Sequence, residues 1–336
     1  MDLSTKYLGF DLPHPLMPGA SPLADDLDTV RRLEDAGASA IVLRSLFEEQ
    51  IARDQWSVDQ HILAHTESFA EATTYLPDPD EFVFGPERYL EHLHRVKAAV
   101  QVPVIASLNG TTPQGWLNYA RLMEQAGADA IELNFYHVAT DLEESGMSVE
   151  HRLTEAVRVI REGVRIPIAV KLSPFFSSLP HLAHQLEARG ASGLVMFNRF
   201  YQPDIDPELL EAAPRLHFST SNDLLLRVRW LAVLSGRIRT SLAASGGVHT
   251  GIDVIKAVMA GAHAVQVVAA LLHHGPGFLA ILVHDLKRWL EQHEYDSLAQ
   301  AQGSMSLRRS PDPAAFERGN YMKVLQTWRT LSGVGR

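Results

Sequence analysis

Short unbroken apolar runs recur along the chain, and between them lie stretches with apolar residues every third or fourth position. Eight runs stand out: Pro15–Gly19, Ala40–Leu43, Val104–Leu108, Ala130–Asn134, Ile168–Leu172, Gly193–Phe197, Ser241–Ala244 and Ala264–Val268. Continuous rather than alternating apolar character marks strands covered on both faces, as in a parallel sheet. The helical patterns are Asp26–Ala36, Pro113–Gln125, Val149–Arg161, Leu179–Arg189 and Gly251–Met259. Each stops at a glycine (Gly37, Gly127, Gly163, Gly190 and Gly261), the usual residue just past a helix end. Four of these glycines head a Gly-Ala pair shortly before a strand: Gly37-Ala38, Gly127-Ala128, Gly190-Ala191 and Gly261-Ala262. The repeated helix–Gly-Ala–strand unit predicts an α/β fold, a TIM (β/α)8 barrel.

Two connections exceed what a simple βα unit needs. Glu48–Glu87 is polar and aromatic, and Phe200–His217 carries Pro203, Pro207 and Pro214. Long connections in a compact fold are lids or binding loops, so the barrel is expected to carry long active-site loop insertions. No linker-like stretch interrupts the 336 residues, which predicts a single domain over 1–336. A helical pattern over Ala280–His293 predicts a C-terminal helical extension from about 280.

Composition narrows the function classes. A net charge of −10 with no basic run argues against nucleic acid as a partner. The chain has no cysteine. That excludes disulfides, thiolate metal sites, cysteine nucleophiles and iron–sulfur ligation by this chain. The first residues lack an apolar signal core, and no run reaches the roughly twenty apolar residues of a membrane span. The expectation is a cytoplasmic protein with no membrane association.

Barrel enzymes keep their reactive groups at the C-terminal ends of the strands. Read there, the chain offers Ala20-Ser21, Arg44-Ser45, Asn109-Gly110, Asn134 with Tyr136 and His137, Lys171, and Asn198. After the last two strands come the small-residue turns Ser245-Gly246-Gly247 and Val268-Ala269-Ala270. Small residues let backbone N–H groups approach a phosphate closely, and the loops after strands 7 and 8 are the common phosphate site of this fold. Lys171 is either a Schiff-base nucleophile or a fixed positive charge beside an anion. Asn134 suits recognition of a planar amide-bearing ligand. His137 is a candidate general base, because its ordinary pKa lies near neutrality. No HExxH motif or carboxylate cluster accompanies His61, His65, His92 and His94, which read as solvated helix or loop histidines rather than metal ligands. There is no G-x-S-x-G elbow, no P-loop and no G-x-G-x-x-G after the first strand.

The segments Pro15-Leu16-Met17-Pro18-Gly19-Ala20-Ser21, Glu132-Leu133-Asn134, Val170-Lys171-Leu172-Ser173-Pro174, Ser245-Gly246-Gly247-Val248 and Gln266-Val267-Val268-Ala269-Ala270-Leu271 follow one another in this order. In this the chain resembles the dihydroorotate dehydrogenase family of FMN barrels, nearest its soluble class 1 branch. The resemblance implies FMN as cofactor and oxidation of dihydroorotate to orotate in pyrimidine biosynthesis. It implies a cofactor-binding set of Ala20, Ser21, Arg44, Asn134, Lys171, Asn198, Ser245, Gly246, Gly247, Val268 and Ala269. Lys171 would stabilise negative charge on reduced flavin. Gly246, Gly247, Val268 and Ala269 would hold the phosphate through backbone N–H groups. A homodimer and a dihydropyrimidine-like small-molecule substrate are implied as well.

The chain also departs from the family pattern. The family has a serine or cysteine base after E-L-N, whereas here Phe135-Tyr136-His137 follows, with His137 in register with that base. Arg44 stands where the family has lysine, and Ala72–Pro77 replaces a loop that supplies a substrate asparagine. The flavin half of the site is kept and the pyrimidine half is rewritten. Another dihydropyrimidine or an enone therefore stays open as substrate. So do a non-redox lyase using Lys171 as a Schiff base, and a flavin-binding protein without catalysis.

Overall fold

The computed structural model describes residues 1–47, 86–110, 113–199, 202–213 and 216–327. Among these, eight parallel strands make one sheet: β1 (Leu16–Pro18), β2 (Ile41–Phe47), β3 (Val104–Asn109), β4 (Ala130–Asn134), β5 (Ile168–Leu172), β6 (Gly193–Met196), β7 (Ser241–Ser245) and β8 (Ala264–Val267). Strands β2 to β8 each pair with the next in sequence, and β8 pairs with β1, which leaves β1 and β2 as unpaired neighbours. The seam between β1 and β2 is drawn together by Ser39, whose N–H and hydroxyl both donate to the Leu16 carbonyl at 3.1 and 2.7 Å. The fold is a TIM (β/α)8 barrel, and its strands are the eight apolar runs of the sequence.

The surrounding helices are α1 (Leu27–Asp35), α2 (Pro86–Ala99), α3 (Pro113–Gln125), α4 (Gly146–Gly163), α5 (Leu179–Ala188), α6 (Leu224–Leu234), α7 (Gly251–Ala260), α8 (Ala269–His274) and α9 (Phe278–Gln292). Local chemistry sets several starts. The Asp26 carboxylate caps α1 by accepting from Thr29 N–H at 2.8 Å, and Thr250 and Asp253 form a capping box on α7. Gly37, Gly127, Gly190 and Gly261 take φ of +91°, +99°, +94° and +119°, as expected of helix-ending glycines.

Gly163 departs from that expectation. It lies inside α4, and a Cβ there would stand 2.1 Å from Leu117 Cδ1 of α3, so close helix packing selects this glycine. A second device recurs every other unit. Glu34, Glu124 and Glu187, near the ends of α1, α3 and α5, each accept from two consecutive backbone N–H groups just before β3, β5 and β7. Each carboxylate thus satisfies donors that the sheet leaves over, and ties a helix end to the strand two units on.

Other expectations need correction. Helices α2 and α6 were not predicted. Phe200–His217 contains an antiparallel hairpin, Asp204–Asp206 against Glu211–Ala213. Glu48–Glu87 lies outside the described residues up to 85, as do His61, His65 and Ala72–Pro77. His92 is not solvated: it is buried on α2, with its Nε2 2.6 Å from the Ala24 carbonyl. Among the described residues, no helix is long and apolar enough to cross a membrane.

Inside the barrel, side chains alternate between two surroundings. Leu133, Val170, Leu194, Leu242 and Val265 point outward and pack under the helices, while Met17, Ile105, Ala130, Ala169, Val195, Ala243 and Ala264 fill the interior. An N-terminal hairpin, Thr5–Tyr7 with Phe10–Leu12, stoppers the lower end. Leu8 fits against Gly193, where a Cβ would lie 2.5 Å from Leu8 Cδ2. Leu8 N–H donates to Ser241 Oγ at 3.3 Å, and the Thr5 hydroxyl donates to the His263 carbonyl at 3.0 Å.

Burial holds His14 and His263 below the ordinary imidazole range, and each Nδ1 accepts a backbone N–H, from Leu16 and Leu242 respectively. In the unfolded chain both titrate near about 6.5. Below that pH the unfolded state binds protons that the folded state refuses, so stability falls with falling pH. We expect Tm to drop between about pH 6.5 and 5. His263→Gln, which keeps an acceptor for Leu242, should flatten that dependence; an unaltered slope would remove His263 as a contributor.

Candidate functional site

The upper half of the barrel interior is polar. Glu132 on β4, Lys171 on β5 and Gln266 on β8 project inward from strand positions whose neighbours along each run are apolar. Lys171 Nζ lies 3.2 Å from Glu132 Oε1 and donates to Gln266 Oε1 at 3.1 Å. Gln266 Nε2 donates to the other Glu132 oxygen, which closes the ring. The side chains of Lys171 and Glu132 are only 7% and 1% exposed, so this is a buried ion pair with its remaining hydrogen-bonding capacity met by an amide. The Tyr7 hydroxyl is driven well above the ordinary phenol range, by burial first and by the Glu132 charge second.

A second network lies alongside. The Ser45 and Ser107 hydroxyls are 2.7 Å apart, and Asn134 Nδ2 donates to Ser45 Oγ at 2.9 Å. Ser107 is fixed in turn by Tyr89 of α2, whose hydroxyl accepts from Ser107 N–H at 2.9 Å. This network turns one face of the Asn134 amide to the protein and leaves Asn134 Oδ1 buried with no hydrogen-bond partner. Asn198 Nδ2 and Ser21 Oγ are likewise buried and unpartnered. Three such atoms, on residues read from strand ends, point to a ligand that would satisfy them.

The backbone at the mouth is shaped for close approach. Gly19 packs on the end of β8, where a Cβ would stand 2.9 Å from Val268 Cγ2. Gly246 and Gly247 take φ of +88° and +83°, and a Cβ on Gly247 would lie 2.3 Å from the Leu224 backbone nitrogen. The Gly247 N–H donates to the Ser219 hydroxyl at 3.2 Å. Below the turn, Arg227 of α6 donates to the Ser245 carbonyl.

Arg44 and His137 stand outside the central network. Arg44 of β2 pairs at 2.8 Å with Asp25, in the turn before α1. Burial is the larger influence on Asp25 and holds its carboxyl above the ordinary range in spite of that pairing. His137 Nε2 lies 3.0 Å from Glu144 Oε2 and 3.1 Å from Arg152 Nη2, and His137 forms no hydrogen bond with Asn134 or Lys171. Arg152 also donates to Glu144 Oε1 at 2.6 Å. The His137 contact, then Arg152, holds the Glu144 carboxyl below the ordinary range.

Sequence reasoning missed Glu132, Gln266, Ser107 and Arg227. The first two were legible in principle, as polar residues inside otherwise apolar strands. Arg227 gave no such signal, because it sits in the strongly apolar α6.

The architecture has relatives. Residues 84–290 match the family model described as dihydroorotate dehydrogenase. The chain is 26% identical over 208 residues to the NAD-dependent dihydropyrimidine dehydrogenase subunit PreA of Escherichia coli K12, covering 59% of this chain and 48% of that one. It is 33% identical over 129 residues to the catalytic subunit of dihydroorotate dehydrogenase B (NAD(+)) of Listeria monocytogenes serotype 4a, covering 36% and 41%. The same subunit of Thermoplasma acidophilum is 28% identical over 196 residues, covering 58% and 62%. The aligned stretches thus span about half the length of the curated relatives. Because the family match takes in more than half of its residues, the chain belongs to the dihydroorotate dehydrogenase family.

Proposed function

We propose that the protein is an FMN-dependent oxidoreductase acting on the CH–CH bond of a reduced pyrimidine, with dihydroorotate as the first candidate. The observation that carries the reading is the buried Lys171–Glu132–Gln266 ring beside the unpartnered amide atoms of Asn134 and Asn198. A planar ligand with amide edges and developing negative charge suits that surface. The residues also fit the cofactor: a small-residue cradle at Gly246 and Gly247, a close-packed Gly19–Ala20–Ser21 corner, and orphaned polar atoms at Ser21, Asn134 and Asn198. Ser245, Val268 and Ala269 complete the phosphate end of the cradle, and Arg44 lies at the rim. The relatives' names carry dihydroorotate and dihydropyrimidine, which supports the same substrate class.

When bound, FMN supplies the hydride acceptor. Lys171 holds a fixed positive charge at the mouth, kept in place by Glu132 and Gln266. Held between Glu132 and Gln266, its amino group is a poor nucleophile, which argues against the Schiff-base reading. Asn134 and Asn198 orient the ligands through their free amide atoms. His137 removes the proton from the carbon next to the substrate carbonyl. In the tautomer that donates from Nε2 to Glu144 Oε2, the Nδ1 lone pair is left as the base.

Anaerobic addition of dihydroorotate to the flavin-loaded protein tests the reading: the visible bands should bleach. Bands that persist remove dihydroorotate as reductant, and a protein that takes up no FMN removes the flavin reading. His137→Ala should slow bleaching about 10²–10⁴-fold with FMN still bound. An unchanged rate takes His137 out of the mechanism.

A further inference from the structure

Arg227 is a buried cation that the proposed chemistry does not use. It lies on α6 and is 7% exposed. Its Nε donates to the Ser245 carbonyl at 3.0 Å, and its Nη1 donates to the Asp223 carbonyl at 2.7 Å. The guanidinium carbon sits 6.0 Å from the centre of the Phe197 ring. Among the described residues, no carboxylate lies within ion-pairing distance of it. The remaining nitrogen, Nη2, faces the turn after β7: a Cβ on Gly246 would be 3.1 Å from it.

A guanidinium taken out of water is costly unless an anion or a full set of acceptors compensates it. Two carbonyls compensate in part. Burial pushes the Arg227 pKa down, and the Asp223 charge draws it back up. The residue is nevertheless held against the turn where Gly246 and Gly247 take positive φ and where a Cβ on Gly247 would stand 2.3 Å from the Leu224 nitrogen.

We infer that Arg227 is the counter-cation of a phosphoryl group bound at the Ser245–Gly247 turn. Its charge acts from behind Gly246, and its hydrogen bond to the Ser245 carbonyl fixes the turn that presents the backbone. This rests on the FMN reading above, in which that turn receives the cofactor phosphate. Arg227 is a binding and positioning residue in this assignment, with no part in proton or hydride transfer.

The test separates charge from scaffolding by comparing FMN with riboflavin, which lacks the phosphate. Affinities of wild-type apoprotein and Arg227→Met for each flavin are read from quenching of flavin fluorescence. Loss of one charge-assisted contact should weaken FMN about 10–100-fold and leave riboflavin within about twofold. Arg227→Gln keeps a donor for the Ser245 carbonyl but removes the charge, and should show the same loss of preference should Arg227→Met fail to fold. Equal weakening of both flavins, or no weakening of either, overturns the role assigned to Arg227 while leaving the cofactor reading intact. Wild-type protein that binds neither flavin overturns the cofactor reading and this inference with it.

Discussion

Lys171→Met is expected to destabilise the protein by about 3–5 kcal/mol, because it strands a buried Glu132 carboxylate that is only 1% exposed. Adding Glu132→Gln should return most of that stability. A neutral amide has no uncompensated charge, and Gln266 can still share hydrogen bonds with it. Turnover should stay lost in both variants, since both lack the positive charge at the mouth. Urea unfolding followed by tryptophan fluorescence reads the first quantity, and anaerobic flavin reduction reads the second. A double variant no more stable than the single one would show that the ring is held by something other than charge pairing. Full activity in either variant would end the proposed role of Lys171.

The second large effect belongs to Gly247→Ala. The added Cβ meets backbone, Leu224 N at 2.3 Å and Leu224 Cα at 2.8 Å, so no side-chain rotation relieves it. Positive φ adds its own cost of about 1–2 kcal/mol. The start of α6 must therefore shift away from the turn, and FMN affinity should fall more than about tenfold, with a loss of stability beyond about 2 kcal/mol. Gly9→Ala is the control. Gly9 has φ of +89° but nothing within 4 Å of its would-be Cβ, so it reads strain alone. Equal effects at the two positions would mean that the close approach at Gly247 contributes nothing.

The strands were legible because each is short, apolar throughout and followed within a few residues by a different pattern. Parallel strands buried on both faces have few other ways to be written. The same uniformity hid α6, where Leu224–Leu234 reads apolar on nearly every side and so lacks a helical period. Helix α2 was hidden differently, by adjoining a long polar connection with no start signal before Pro86. At the site, Asn134 was found because it ends β4, whereas Lys171, Glu132 and Gln266 all sit one or two residues inside the ends of their strands and only Lys171 was singled out there. What joins these four is the closure of the sheet. Gln266 reaches Glu132 across 134 residues of sequence, and no local pattern encodes that meeting.

The hairpin at the lower end has a consequence for the order of assembly. Residues 5–12 precede every barrel strand, yet their anchors are Gly193, Ser241 and the His263 carbonyl, up to 258 residues later. Contacts so distant along the chain form late and slowly, because loop closure must come before they can stabilise anything. A nascent chain that has reached β5 therefore still lacks the three anchors of its stopper, and the inward face of β4 bears a Glu132 still waiting for Gln266. A segment made before every barrel strand is thus among the last to find its place, and until then Tyr7, Leu8 and Leu12 remain an apolar surface open to other partners.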